Sequence, residues 1–366
     1  MFEDRRSQAE IDGEAPVTSG GPASRGGPQY RDESLLPRRA VGWMTALGLA
    51  IGAALLFYVL RKYHLGEILA AVVAAGWGIV WISAYRFVTI ATDAAGWREL
   101  WLGAVKPRPA RILVYRWIGE AVNSLLPVAQ VGGHVVRARL LGRSQGDYVA
   151  AGAATIVDFT VGVFTQAVYT VVGIGLLLRM ARARGNGLNE ALLVALALLV
   201  GGLVTLYVMQ RGRMLQKAAV LIQMALAGNL RSLAGQLHIG AQAIDAAVNE
   251  LYGNYGSLLR CVAWRLLTWL LHTGETWLIM RFLGAPVSWG EALILESLGT
   301  AVRNAAFPVP AGLGAQEGGF LLLGAALGIS PPLCLALSLA KRGRELIVGL
   351  PALAAWAWLE GRKTRT

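Results

Sequence analysis

The residues of this chain that could do chemistry are ionisable side chains standing inside otherwise apolar stretches. Asp158 is the deepest acid, ten or more residues from either end of the run Tyr148 to Leu178. Arg86 and Asp93, seven apart, fall on similar faces of one helix two turns apart and would bracket a polar stripe. His272 and Glu275 share a helical face in a run that also holds Arg260 and Arg265. Lys341, Arg342, Arg344 and Glu345 put four charges into five positions of the run Pro331 to Trp358. An ionised group at the centre of a membrane helix costs at least about 2.5–3.5 kcal/mol, so these groups imply mutual pairing or a polar interior.

Two readings are open for the basic group. Lys341, Arg342 and Arg344 either line a cavity, where they would attract a phosphate or carboxylate, or pair with Glu317, Glu296 or Asp158. His272 and Glu275 are candidates for a proton relay or for a salt bridge to a neighbouring arginine; no third ligand is indicated, so no metal is expected. Buried carboxylates could also serve a membrane transferase or hydrolase as acid and base, but the chain carries no nucleophile elbow and no H-E-x-x-H. Gly312-Leu313-Gly314 is a turn and not a nucleotide loop, since no strand precedes it and no lysine follows, and no cofactor is expected. Cys261 and Cys334 lie in apolar stretches without C-x-x-C spacing and read as packing residues.

The elements that position these groups must be membrane helices. Hydrophobic residues make up 55% of 366 positions and charged ones 15%, well below the roughly 25% charge of a soluble domain. Apolar runs near the ~20 residues that a spanning helix needs fall at 41–60, 78–101, 148–178, 188–209, 257–281 and 331–358, six crossings in all. Residues 1–40 read as a disordered tail, too long for a signal peptide leader, and 359–366 as a second tail. Lys and Arg near segment ends and in loops, Arg116, Arg137 and Arg303 among them, number seventeen on the side of the N-terminus and seven on the other. Both termini should therefore be cytoplasmic. The net charge of +12 follows from these clusters, and no nucleic-acid partner is expected. The segment 214–255 reads as an amphipathic connector on the cytoplasmic surface. Gly48 and Gly52 form a G-x-x-x-G pair through which a homodimer could form.

Two stretches, Lys106 to Gly146 and Gly284 to Ser330, are too interrupted by Pro and Gly to cross simply. Set against itself at an offset of 181, the chain places Asn123 on Asn304, Pro127 on Pro308, Val128 on Val309 and Gly133 on Gly314. Three expected crossings separate the two, so the repeat is inverted, with halves at about 78–180 and 259–358. Inverted repeats with Pro/Gly-broken segments at matching positions are the pattern of a transporter-like core with a site near the midplane. The expected turns hold Pro127, Gly132 and Gly133 in the first hairpin and Pro308, Pro310, Gly312 and Gly314 in the second. Asn123 and Asn304 either cap half-helices, bond the partner hairpin or touch substrate, and Glu317 is either a helix-start cap or a site carboxylate. The fold expected is an all-α polytopic membrane protein of about six transmembrane helices and two re-entrant helical hairpins, with 41–358 as one domain.

The N-x-x-x-P segment with its glycines and Arg137, the membrane-buried Asp158, the stretch P-V-P-A-G-L-G-A-Q-E and Arg342 together resemble the lysylphosphatidylglycerol synthase transmembrane, or flippase-like domain, family over roughly residues 41 to 358. The pattern P-x-G-x-G-x-x-E, met by Pro310, Gly312, Gly314 and Glu317, is the most specific part. The closing stretch L-A-K-R-G-R-E-L-I-V-G-L-P-A-L-A-A-W is similar to the hopanoid-biosynthesis-associated HpnL branch. The resemblance implies a multi-pass protein of the bacterial inner membrane that moves or presents a lipid, a hopanoid or an anionic phospholipid, between leaflets. It implies functional roles for Asn123, Arg137, Asp158, Glu317 and Arg342. To these the internal repeat adds Asn304, and the charge pattern Lys341 and Arg344, as candidate substrate contacts. Full-length synthases carry a soluble aminoacyl-transferase domain after the membrane part, whereas this sequence stops at Thr366, so it is not expected to be an enzyme by itself. A non-catalytic partner of a lipid-synthesising complex is the alternative.

Overall fold

The computed structural model describes residues 76–103, 105–126, 132–184, 237–306 and 314–361. The expected crossings at 41–60 and 188–209, the G-x-x-x-G pair, the turn residues Pro127, Pro308, Pro310 and Gly312, the tails before residue 41 and after 361, and the connector before residue 237 lie outside the described residues. Within them the secondary structure is helical throughout, in the order α1 (Gly78–Glu99), α2 (Pro109–Leu125), α3 (Gly132–Gln145), α4 (Tyr148–Arg184), α5 (Leu237–Gly253), α6 (Tyr255–Phe282), α7 (Trp289–Ala305), α8 (Ala315–Leu327) and α9 (Pro331–Gly361).

Local chemistry sets the boundaries. Proline at the first position of α2 lacks only an N–H that would be unsatisfied there anyway. Ser288 and Glu291 form a capping box at the start of α7. Asp147 accepts the N–H of Ala150 at 2.8 Å to start α4, and Asn254 accepts that of Ser257 at 3.2 Å to start α6. The sharp turns between α3 and α4 and between α8 and α9 use Gly146 (φ 75°) and Gly328 (φ 74°), where a Cβ would be strained.

The two halves repeat helix for helix. Shifted by 181, the ranges of α1 to α4 fall on those of α6 to α9 with no boundary displaced by more than four residues. Each half is thus a long helix, two short ones and a long one. The packing has the same symmetry: α2 lies on α9 as α7 lies on α4, and α4 contacts α6 as α9 contacts α1. The equivalent helices α1 and α6 pack on each other antiparallel, with Gly78 at Phe282, Arg86 at Glu275, Asp93 at Arg265 and Glu99 at Arg260. Two copies of one motif whose matching helices run in opposite directions make an inverted repeat.

Each half has its own apolar core. One cluster gathers Trp97, Ile112, Leu141 and Val157 and draws in Cys261 of α6; the other gathers Leu295, Leu298, Phe320 and Leu337 and draws in Ile82 and Leu177 of the first half. Both cysteines are free and buried. Helix α5, the described end of the connector, buries Ile244 and Leu251 and packs on α4.

The exterior is apolar. Among the described residues one helix, α4 over Tyr148–Arg182, is long and apolar enough by composition to cross a membrane, and only 28% of its most hydrophobic window is buried. Phe164, Val171 and Val172 of α4, Leu259 and Leu270 of α6, and Leu346 and Leu350 of α9 are exposed. A soluble protein would turn such faces inward.

Candidate functional site

The buried charges assemble into two clusters, one per half. In the first, Asp158 of α4 and Asp93 of α1 are met by three arginines from three other helices. Arg116 of α2 donates to Asp93 at 2.7 Å and to Asp158 at 2.8 Å. Arg265 of α6 bridges the same two acids at 2.8 and 2.7 Å. Arg137 of α3 donates to Asp158 at 2.6 Å, stands over the Trp97 ring at 4.7 Å and donates to His134 Nδ1 at 2.7 Å. An arginine can only donate, so that ring nitrogen carries no proton. Among the described residues, three guanidiniums against two carboxylates leave an excess of one positive charge, and Nε and Nη1 of Arg137 and Nε of Arg265 have no hydrogen-bond partner.

The second cluster is a chain of alternating charges. Glu120 of α2 pairs with Arg86 of α1, which also donates to Glu275 Oε2 at 3.4 Å and to His272 Nδ1 at 2.8 Å. Glu275 in turn holds Arg344 of α9. Arg344 reaches Glu345 at 3.5 Å, and Glu345 takes Arg303 of α7 at 2.5 Å and Arg342 at 3.8 Å. Arg342 also reaches Glu317 of α8 at 3.4 Å. Beside it, Lys341 and the Thr276 hydroxyl share one oxygen of Glu296. Between the clusters, α6 carries hydroxyls that bond its neighbours: Thr268 donates to Thr92 at 2.8 Å, and Thr273 meets Tyr169 at 2.5 Å.

The basic group of α9 is therefore paired with carboxylates, Glu296 and Glu317 among them, while Asp158 is held by arginines of other helices. His272 and Glu275 lie 3.8 Å apart and share Arg86. Asn123 accepts the Gly133 N–H at 2.7 Å, tying the end of α2 to the start of α3, whereas Asn304 at the repeat-equivalent position is exposed. Glu317 accepts the Gly314 N–H at 2.8 Å and the Ser338 hydroxyl at 2.9 Å, so it caps α8 and faces Arg342 at once. Gly132 opens α3. Gly133 presses so close to the Gly119 carbonyl that no Cβ fits, and Gly314 adopts φ 78° at the cap of α8.

One part of the charge count needs correcting. Arg116, Arg137 and Arg303, assigned to membrane borders by their place in the sequence, are tied to buried or largely buried carboxylates in the two clusters. Their apolar neighbours carry them inward, and the asymmetry of the remaining basic residues keeps its sign. The sequence singled out none of Arg116, Glu120, Arg265, Arg303 and Glu345 as a candidate substrate contact. A signal was present: Arg86 and Asp93 on α1 face Glu275 and Arg265 on α6, opposite charges in reversed order, as an antiparallel pair requires.

A cleft of about 20 Å³ opens beside the second cluster between α1, α2 and α9, lined by Arg86, Trp117, Glu120, Ser124, Arg344 and Glu345. That is room for a water molecule.

A family model described as the lysylphosphatidylglycerol synthase TM region matches residues 45–352. No curated protein and no solved structure matches the chain.

Proposed function

The chain belongs to the lysylphosphatidylglycerol synthase transmembrane-region family and is a membrane protein; from that premise we propose that it translocates or presents a lipid between leaflets through the polar centre where its two inverted halves meet. The observation that carries this reading is the antiparallel packing of α1 on α6 with the two charge clusters meeting it at Arg86–Glu275 and Asp93–Arg265, two turns apart in the middle of their contact. Charges so placed are costly in a membrane unless they are paired or serve a passing polar group. A contact between two inverted halves is where alternating exposure is built in such proteins.

Helix lengths support the re-entrant reading. At 1.5 Å per residue, α2, α3 and α8, with 17, 14 and 13 residues, extend about 20–25 Å, short of the roughly 30 Å hydrocarbon core. Each pair would dip in and return on its own side, with glycines at the close approach. In this reading the protein is a multi-pass component of the bacterial inner membrane with both termini cytoplasmic. Its substrate is an amphipath such as a hopanoid or an anionic phospholipid, and it works without covalent chemistry of its own. Service as a membrane partner of a lipid-synthesising complex would use the same surface.

Reconstitution tests this. Purified protein in liposomes carrying a labelled lipid should raise leaflet exchange above the empty-liposome rate, and Asp158→Asn and Arg342→Ala should each lower it at least several-fold. If wild type and both variants all stay at the empty-liposome rate, translocation is refuted.

A further inference from the structure

Arg265 differs from every other member of the first cluster in where it comes from. Asp93, Arg116, Arg137 and Asp158 all belong to the first half, two cations and two anions that hydrogen-bond among themselves. Arg265 arrives from α6 of the second half and inserts between the two aspartates. Without it the four cluster members from the first half are neutral as a set, and it accounts for the excess positive charge among the described residues of the cluster. The counterpart contact in the second cluster, made by Arg86 across the same helix pair, joins a set that is balanced among the described residues: five cations including Lys341 and Arg303 face five carboxylates including Glu120 and Glu296.

We propose that Arg265 is a headgroup-binding residue held in reserve: as the halves part, its guanidinium leaves Asp93 and Asp158 for the phosphodiester of an anionic amphipath. The inference rests on the translocation reading above and names the substrate chemistry of the same site. Three features argue for it. A guanidinium released inside the membrane needs another anion, and a phosphodiester offers the two-oxygen face that the two carboxylates now supply. The aspartates left behind keep Arg116 and Arg137, so release exposes no unpaired acid. The guanidinium also faces the bare backbone of Gly162, where room for a methyl group remains, since a Cβ there would stand in ordinary contact 3.6 Å from it. A purely structural arginine would be expected inside a charge-balanced set, since an excess buried charge is costly. Substrate would thereby loosen the contact that keeps the halves together, coupling headgroup capture to opening.

The test follows the neighbourhood of Arg265 and not transport. Gly162→Cys places a thiol beside the guanidinium, and the parent protein, with its two buried cysteines, serves as the blank. Labelling by a charged, water-soluble thiol reagent is measured in phosphatidylcholine vesicles, in vesicles containing phosphatidylglycerol, and in phosphatidylcholine vesicles with inorganic phosphate. The expected result is labelling several-fold faster with phosphatidylglycerol and unchanged by free phosphate. Adding Arg265→Gln should make labelling fast in both lipids, and Arg265→Lys should restore part of the lipid dependence. Should Arg265→Gln fail to fold, Asp93→Asn replaces it and should raise the rate in phosphatidylcholine alone. Equal rates in the two lipids, or an undiminished response to phosphatidylglycerol in Arg265→Gln, would overturn the proposal. A response to free phosphate as large as that to the lipid would replace the lipid by a soluble anion and refute the headgroup assignment. Lipid-dependent labelling without leaflet exchange would keep the role of Arg265 and sink translocation; exchange without lipid-dependent labelling would do the reverse.

Discussion

In the first turn of α8 the Glu317 carboxylate does three things: it accepts the Gly314 N–H, accepts the Ser338 hydroxyl and faces the Arg342 guanidinium. Its place at a helix start was legible in the sequence, because an acid there complements the helix dipole; of its partners on α9, the Arg342 pairing was one of two open readings and Ser338 was not foreseen, since nothing local relates residues 317 and 338. The substitutions separate these duties. Glu317→Gln keeps a carbonyl for the Gly314 N–H and should cost about 1 kcal/mol, whereas Glu317→Ala also strands that N–H and should cost roughly 2–3 kcal/mol. Thermal unfolding in detergent reads the difference, and equal losses would show that the cap contributes little. Arg265 illustrates the opposite case: its residue type was visible in an apolar run, but its role arises from two aspartates 172 and 107 positions away.

Among the elements, the hairpin of α2 and α3 depends on backbone touching backbone. The N-x-x-x-P-V segment with following glycines identifies the turn, and the structure shows why glycine is needed at its return: a Cβ on Gly133 would overlap the Gly119 carbonyl oxygen and crowd the Asn123 side chain. Gly133→Ala should therefore push the two helices apart and lower the yield of folded monomer sharply, measured by size-exclusion chromatography of a fluorescent fusion. Gly318→Ala is the control, because that helical glycine has open space around its Cβ position and alanine is the better helix former. A folded, monodisperse Gly133→Ala protein at wild-type yield would show that the close approach is dispensable. The equivalent asparagines diverge: Asn123 caps its hairpin while Asn304 is exposed, so likeness in sequence did not carry over to likeness in contact.

For the whole molecule, the inverted repeat makes a prediction about sides. The turn from α3 to α4 and the turn from α8 to α9 occupy equivalent positions, so they should face opposite membrane surfaces. Arg143 and Ser330 are exposed beside these turns. Single cysteines at Arg143→Cys and Ser330→Cys should react with a membrane-impermeant thiol reagent from opposite sides, Arg143→Cys from the cytoplasmic one. Labelling of both from one side would refute the inverted arrangement. The membrane class, the approximate bounds of the four long described helices and the repeat offset were determined by the sequence alone, because hydrophobic run length and self-similarity are local or periodic properties. Which charges pair was decided only by the tertiary structure. Antiparallel packing of α1 on α6 brings together residues that no periodicity links, drawing Arg116, Arg137 and Arg303 inward and inserting Arg265 between Asp93 and Asp158. In a medium without water each buried ion must find its counter-ion on another helix, and that choice exists only once the helices have met.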